Sequence, residues 1–108
     1  MSTPTEHDRI EALRKMAAAH PEDPRPLFGL ALEYEKAGRW EEVVDTLRRY
    51  LALADDEGNA YGRLGHALRE LGRDGEAREA YRAGVDAAHR HGHPTMAMEF
   101  EDVLDEMG

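Results

Sequence analysis

The sequence has no cysteine and one serine, Ser2. Disulfides, thiolate nucleophiles and thiolate metal ligands are excluded at once. The threonines, Thr3, Thr5, Thr46 and Thr95, follow no nucleophile-elbow pattern. There is no phosphate-cradling glycine loop: Gly62, Gly65, Gly72 and Gly75 are spaced as helix and turn positions. No apolar run approaches membrane-spanning length. Residues 1–9 are polar and acidic, without the basic start and apolar segment of a secretory signal, so a cytoplasmic location is expected. No stretch alternates with period two, which argues against strands.

Positive charge is also scarce. Lys15 and Lys36 are the only lysines, and 23 acidic residues face 14 basic ones for a net charge of −9. Nucleic acid is not expected as a partner. The lysine-poor, acid-rich composition also fits a halophilic source or a GC-rich genome. Carboxylates such as Glu41, Glu42 and Asp45 have no histidine or aspartate paired with them in a recognisable motif, and they read as a solvated face. No catalytic residue and no cofactor is expected.

What the chain does have is one pattern written twice. Shifted by 34 residues, Leu27 falls on Tyr61, Leu30 on Leu64, Ala31 on Gly65 and Tyr34 on Leu68. Gly38-Arg39 falls on Gly72-Arg73, Glu42 on Glu76, Val43 on Ala77, Leu47 on Tyr81 and Leu51 on Val85. Within each copy the apolar residues step by three and four, which predicts helices. Leu27, Leu30, Ala31, Tyr34 and Ala37 form one stripe, and Tyr61, Leu64, Gly65, Leu68 and Leu71 its counterpart. Gly38 and Gly72 end these helices, and a second amphipathic helix follows each at once. A short connection between two such helices makes an antiparallel pair. Ala31 and Gly65 are small where helix must approach helix.

These residues resemble the tetratricopeptide repeat (TPR) family. The resemblance covers residues 25–90 in full. It departs at Asp55, where the family usually has proline, and at Tyr50, where it usually has a small residue (Gly84 fills that place in the second copy). It implies an all-α fold: a right-handed α-solenoid of stacked antiparallel helix pairs with six helices. The expected layout is a loose tail at 1–5 and a single domain at 6–108. Within the domain stand an N-terminal half-repeat helix at 6–20, repeat 1 at 25–56, repeat 2 at 57–91 and a capping helix at 94–107. Thr5 is the expected first N-cap, with Glu6 and Asp8 in the first turn. Ile10, Leu13, Met16 and Ala17 are the expected core stripe of the first helix. Met96, Ala97, Phe100, Val103, Leu104 and Met107 are that of the last.

The resemblance further implies a non-catalytic protein-interaction module that holds a peptide or helix. The first helix of each pair would line the concave groove. That places Arg25, Phe28, Leu32, Glu35 and Lys36 on the groove in the first copy, and Asn59, Gly62, His66, Arg69 and Glu70, with Arg63 beside them, in the second. An apolar floor with basic neighbours suits a protein or peptide partner carrying apolar and acidic residues. Phe28 and Leu32 could instead pack against the N-terminal helix. Chaperone-tail binders carry Lys and Asn where Phe28 and Leu32 stand, so that partner class is set aside. A self-associating unit, a monomer or weak homodimer, is the alternative. The run His89-Arg90-His91-Gly92-His93 offers three imidazoles for zinc or nickel. It lacks a helical ligand pair, and it also reads as a solvated helix end, so no metal is expected there.

Overall fold

In the computed structural model, residues 5–108 are described, and among them the secondary structure is six α-helices with no strand. They are α1 (Glu6–Ala19), α2 (Arg25–Lys36), α3 (Trp40–Leu53), α4 (Asn59–Glu70), α5 (Asp74–Arg90) and α6 (Pro94–Met107). The expected tail lies outside the described residues except for Thr5. The chain gathers into two compact units, residues 1–54 with α1 to α3 and residues 55–108 with α4 to α6.

Local chemistry sets every helix boundary. At α1 the Asp8 N–H donates to Thr5 Oγ1 at 3.1 Å, and the Thr5 N–H donates to Asp8 Oδ2 at 3.2 Å. This reciprocal capping box satisfies two N–H groups that the helix cannot. Pro24 and Pro26 start α2, where a missing N–H costs nothing. Before α4 the Asp56 carboxylate accepts from the N–H groups of Gly58 and Ala60 at 2.8 and 2.9 Å. The acidic linker is thus a cap for α4.

The ends of α2 and α4 are the same motif 34 residues apart. Gly38 and Gly72 sit at φ 69° and 74°, a region that a side chain resists. The Arg39 N–H returns to the Tyr34 carbonyl at 3.0 Å, and the Arg73 N–H to the Leu68 carbonyl at 2.8 Å, closing a Schellman turn. Each arginine is at once the last residue of one helix end and the N-cap of the next helix. Its guanidinium then meets the glutamate three residues on: Arg39 with Glu42, and Arg73 with Glu76 through two hydrogen bonds of 2.6 and 2.8 Å. Gly92 and His93 repeat the backbone motif at the end of α5, with 2.7 Å from the His93 N–H to the Ala88 carbonyl.

In unit 1 the buried residues are mainly aliphatic: Ile10 and Ala17 of α1, Leu27, Leu30, Ala31 and Tyr34 of α2, and Val43, Val44 and Leu47 of α3. Met16 is not part of this core. It is 51% exposed, because the inward face of α1 is already taken by Ile10 and Ala17. Ala37 is exposed as well, since the helix has ended there. Glu33 is a buried carboxylate between Arg9 Nε at 3.3 Å and Lys36 Nζ at 3.4 Å.

In unit 2 the buried residues are mainly small: Ala60, Ala67, Ala77, Ala80, Ala87, Ala88 and Ala97, with Leu64, Leu68 and Tyr81. Small residues let helix backbones approach closely. A Cβ added to Gly65 would lie 2.7 Å from the Tyr81 ring, which makes Gly65 the contact point of α4 and α5.

Candidate functional site

The residues expected on the first helix of each pair lie one helical turn apart along one face of α2 and one face of α4. In unit 1, Arg25 leads α2. Its side chain is 88% exposed and chelates Asp23, with 3.0 Å from Nε to Oδ1 and 2.8 Å from Nη2 to Oδ2. This fork holds the Asp23 carboxyl down to about 2. Leu32 and Glu35 are half-buried, and Lys36 is exposed and reaches Glu33. Burial pushes the Glu33 carboxyl up, but Arg9 and Lys36 together outweigh it and leave it lowered.

Phe28 is half-buried, and its ring lies 5.2 Å from that of Tyr50 on α3, tilted by 44°. The aromatic partner of Phe28 thus comes from the second helix of its own pair. Tyr50, the large residue where the family has a small one, is the cause.

In unit 2, Asn59 and His66 are exposed and Arg63 is half-buried. His66 Nε2 lies 3.7 Å from Glu70 Oε1. Arg69 is exposed and acts on Tyr81, whose hydroxyl is pushed above its ordinary range by burial despite the opposing pull of Arg69. Gly62 departs from its expected role, because α6 covers it. A Cβ on Gly62 would lie 2.6 Å from the Phe100 ring, so this position is packed by the chain itself.

Several of these cations therefore already have carboxylate partners. The face of α2 is a mixed surface of Leu32 beside the Arg25–Asp23 and Lys36–Glu33 pairs rather than a bare basic wall. An open cavity of about 550 Å³ lies elsewhere in unit 1, with Arg14, Arg39, Glu42, Asp45 and Arg49 around Leu30 and Tyr34. Sequence reasoning did not find it, since its lining comes from three helices.

Of the three histidines at the end of α5, two meet carboxylates of the acidic linker before α4 and one meets a carboxylate of α6. His91 Nε2 lies 3.3 Å from Asp55 Oδ1, His93 Nε2 lies 3.3 Å from Glu57 Oε2, and His89 Nε2 lies 3.9 Å from Glu101 Oε1. Among the described residues no group of three His, Asp or Glu side chains could hold a metal ion.

A 34-residue period, antiparallel helix pairs joined at Gly-Arg turns and a small residue at the α4–α5 crossing define an all-α helical-repeat fold that is similar to the tetratricopeptide class. The known proteins agree. The chain is 35% identical over 77 residues to the small glutamine-rich tetratricopeptide repeat-containing protein 2 of Mycosarcoma maydis. That match takes in 71% of this chain and 22% of that protein, so the chain spans less than a quarter of the relative. The fold is shared with the solved structure of the MamA D159K mutant, at a TM-score of 0.61 and 22% identity over 92% of this chain and 66% of that one. No family model matches the chain. Among the described residues no helix is long and apolar enough to cross a membrane.

Proposed function

We propose that the chain is a non-catalytic protein-interaction module that binds a peptide or helix through the first helix of a pair, with α2 presenting the candidate surface of unit 1 and α4 that of unit 2. The observation that carries this reading is the set of side chains on these two helices that the cores do not use. Leu32 remains half-exposed on α2 between Arg25 and Lys36, and Asn59 and His66 stand exposed on α4 with Arg63 beside them. Core packing accounts for Leu27, Leu30, Ala31 and Tyr34 but not for these residues. A partner segment with an apolar anchor beside Asp or Glu would bury Leu32 and exchange local carboxylates for its own. Tetratricopeptide character in the curated relative supports protein as the class of partner.

The test is affinity capture from the native lysate with the parent chain and with a Leu32→Glu, Arg63→Glu double variant. Both positions are partly exposed, so the variant should keep its helical circular dichroism spectrum. Proteins retained by the parent and lost by the folded variant are the expected outcome. An identical captured set from both would place the binding surface elsewhere.

A further inference from the structure

The two repeats are controls for one another, because a residue in one has its counterpart 34 positions on in the other. Tyr34, Thr46 and Arg49 of repeat 1 stand where repeat 2 has Leu68, Ala80 and Ala83. Leu68 and Ala80 are buried packing residues. A helix pair of this kind therefore closes without a hydroxyl or a guanidinium at these places. Repeat 1 has three added polar side chains, and all three line the open cavity of about 550 Å³ in unit 1.

The cavity is a trough. Both α1 and α3 pack on α2, and the trough lies between them over Leu30 and Tyr34. Ala17 and Ala18 keep the α1 wall low, and repeat 1 has Leu51 where α1 has Ala17. Tyr34 and Thr46 are only 5% and 4% exposed, yet neither hydroxyl has a hydrogen-bond partner among the described residues. Buried hydroxyls that the chain does not pair are costly unless something in the cavity pairs with them. Arg39 is engaged, with its guanidinium 4.8 Å from the Tyr34 ring centroid and in an ion pair with Glu42. Arg14 is paired with Glu11. Arg49 and Asp45, exposed on α3, form no ion pair among the described residues.

We infer that this trough binds a small aliphatic carboxylate. Its volume is that of a small-molecule site. Arg49 offers charged N–H donors, and Tyr34 and Thr46 offer O–H donors. A carboxylate only accepts, and its two oxygens have room for several donors. Leu30, Ala17 and Ala18 supply apolar surface for the stem. The lining carries three guanidiniums against two carboxylates, an excess of one positive charge. That excess balances a single negative charge, whereas a phosphate dianion would be repelled by Asp45 and Glu42. The inference does not rest on partner binding through the exposed surfaces of α2 and α4.

The test follows amide NMR spectra of the isotope-labelled chain as sodium hexanoate is added. Hexanol and hexyl phosphate carry the same stem with no charge and with a double charge. Hexanoate should shift signals of α1 and α3 around the trough saturably, with a Kd on the order of millimolar for a ligand of so few atoms. The variants borrow the residues of repeat 2, so they should keep the helical circular dichroism spectrum. Arg49→Ala should weaken hexanoate at least about tenfold, and Tyr34→Leu combined with Thr46→Ala should do the same. Arg49 is exposed, so its variant is the decisive one should the double variant lose helix. Asp45→Asn removes a like charge and should tighten hexanoate. No saturable shift with hexanoate, equal affinity for hexanol or hexyl phosphate, unchanged affinity in Arg49→Ala, or weaker binding in Asp45→Asn would each overturn the proposal.

Discussion

The two repeats share helix boundaries and turns but fill their interiors in opposite ways. Unit 1 is built from large aliphatic side chains and carries the Phe28–Tyr50 aromatic contact between its second and third helices. Unit 2 is built from alanines and glycines and takes its aromatic filler, Phe100, from the following helix. A repeat can therefore close over its own bulk or over a side chain brought from outside, on one backbone pattern. The charges divide just as unevenly. Unit 1 holds ten acidic and eight basic residues, and unit 2 holds thirteen and six. The carboxylates with lowered pKa, Asp8, Asp23 and Glu33, all lie in unit 1. Tyr81, raised by burial, lies in unit 2, while Arg25 in unit 1 is raised by its bond to Asp23.

Truncating fully buried leucines should give the largest effects. Leu47→Ala in unit 1 and Leu68→Ala in unit 2 should each lose about 2–5 kcal/mol, read from urea midpoints. A much smaller loss at Leu68 would mean that the alanine-rich core relaxes around the cavity.

The comparison sharpens at the positions where the repeats differ in size. Gly65→Leu forces a side chain into the Tyr81 ring and should destabilise by about 1–3 kcal/mol through overpacking. Phe28→Ala should cost about 1–2 kcal/mol, less than a core phenylalanine, because the ring is half-exposed beside Tyr50. A loss as large as that of Leu30→Ala would make Phe28 a core residue and remove it from the binding surface.

The pH responses should run in opposite directions. Hydrogen bonds from the Thr5 backbone and side chain lower Asp8, and the Arg25 guanidinium and backbone N–H lower Asp23. At Glu33 burial raises the carboxyl, but Arg9 and Lys36 prevail. Folded values below unfolded ones mean a stabilisation that is present above the ordinary carboxylate range, near pH 4, and lost as pH falls toward 2. Tyr81 is raised by burial, so its contribution is intact below about pH 10 and declines above it. Residue-resolved hydrogen exchange should show α1 and α2 loosening first in acid, and α4 and α5 first in alkali. Uniform loosening at both extremes would show that total charge, not these local groups, sets the response.

Salt should have the smallest effect. Self-repulsion in an acidic chain weakens as salt screens it, so the melting temperature should rise modestly between low and moderate NaCl. A flat curve would show that local pairs such as Arg73–Glu76 already balance the excess.

The sequence alone determined the helices and their ends. Apolar spacing, the prolines that start α2 and α6 and the Gly-Arg turn after α2 and α4 act within a few residues of chain. Thr5 and Asp8 form their cap for the same local reason. The small residue at Gly65 was legible too, because a repeat shows where two helices must touch. The contents of the candidate site were not legible. Whether Phe28 meets solvent, α1 or Tyr50 depends on a ring 22 residues away, and helical periodicity carries no information about it. Gly62 looked like an open surface position because Phe100, 38 residues on, contributes nothing to the local pattern. Met16 matched the apolar stripe of α1, yet Ile10 and Ala17 had already filled the inward face. Local pattern specifies elements, since their hydrogen bonds close within one turn of chain. Tertiary packing decides which surface stays exposed, since exposure is set by whichever distant side chain arrives to fill the space.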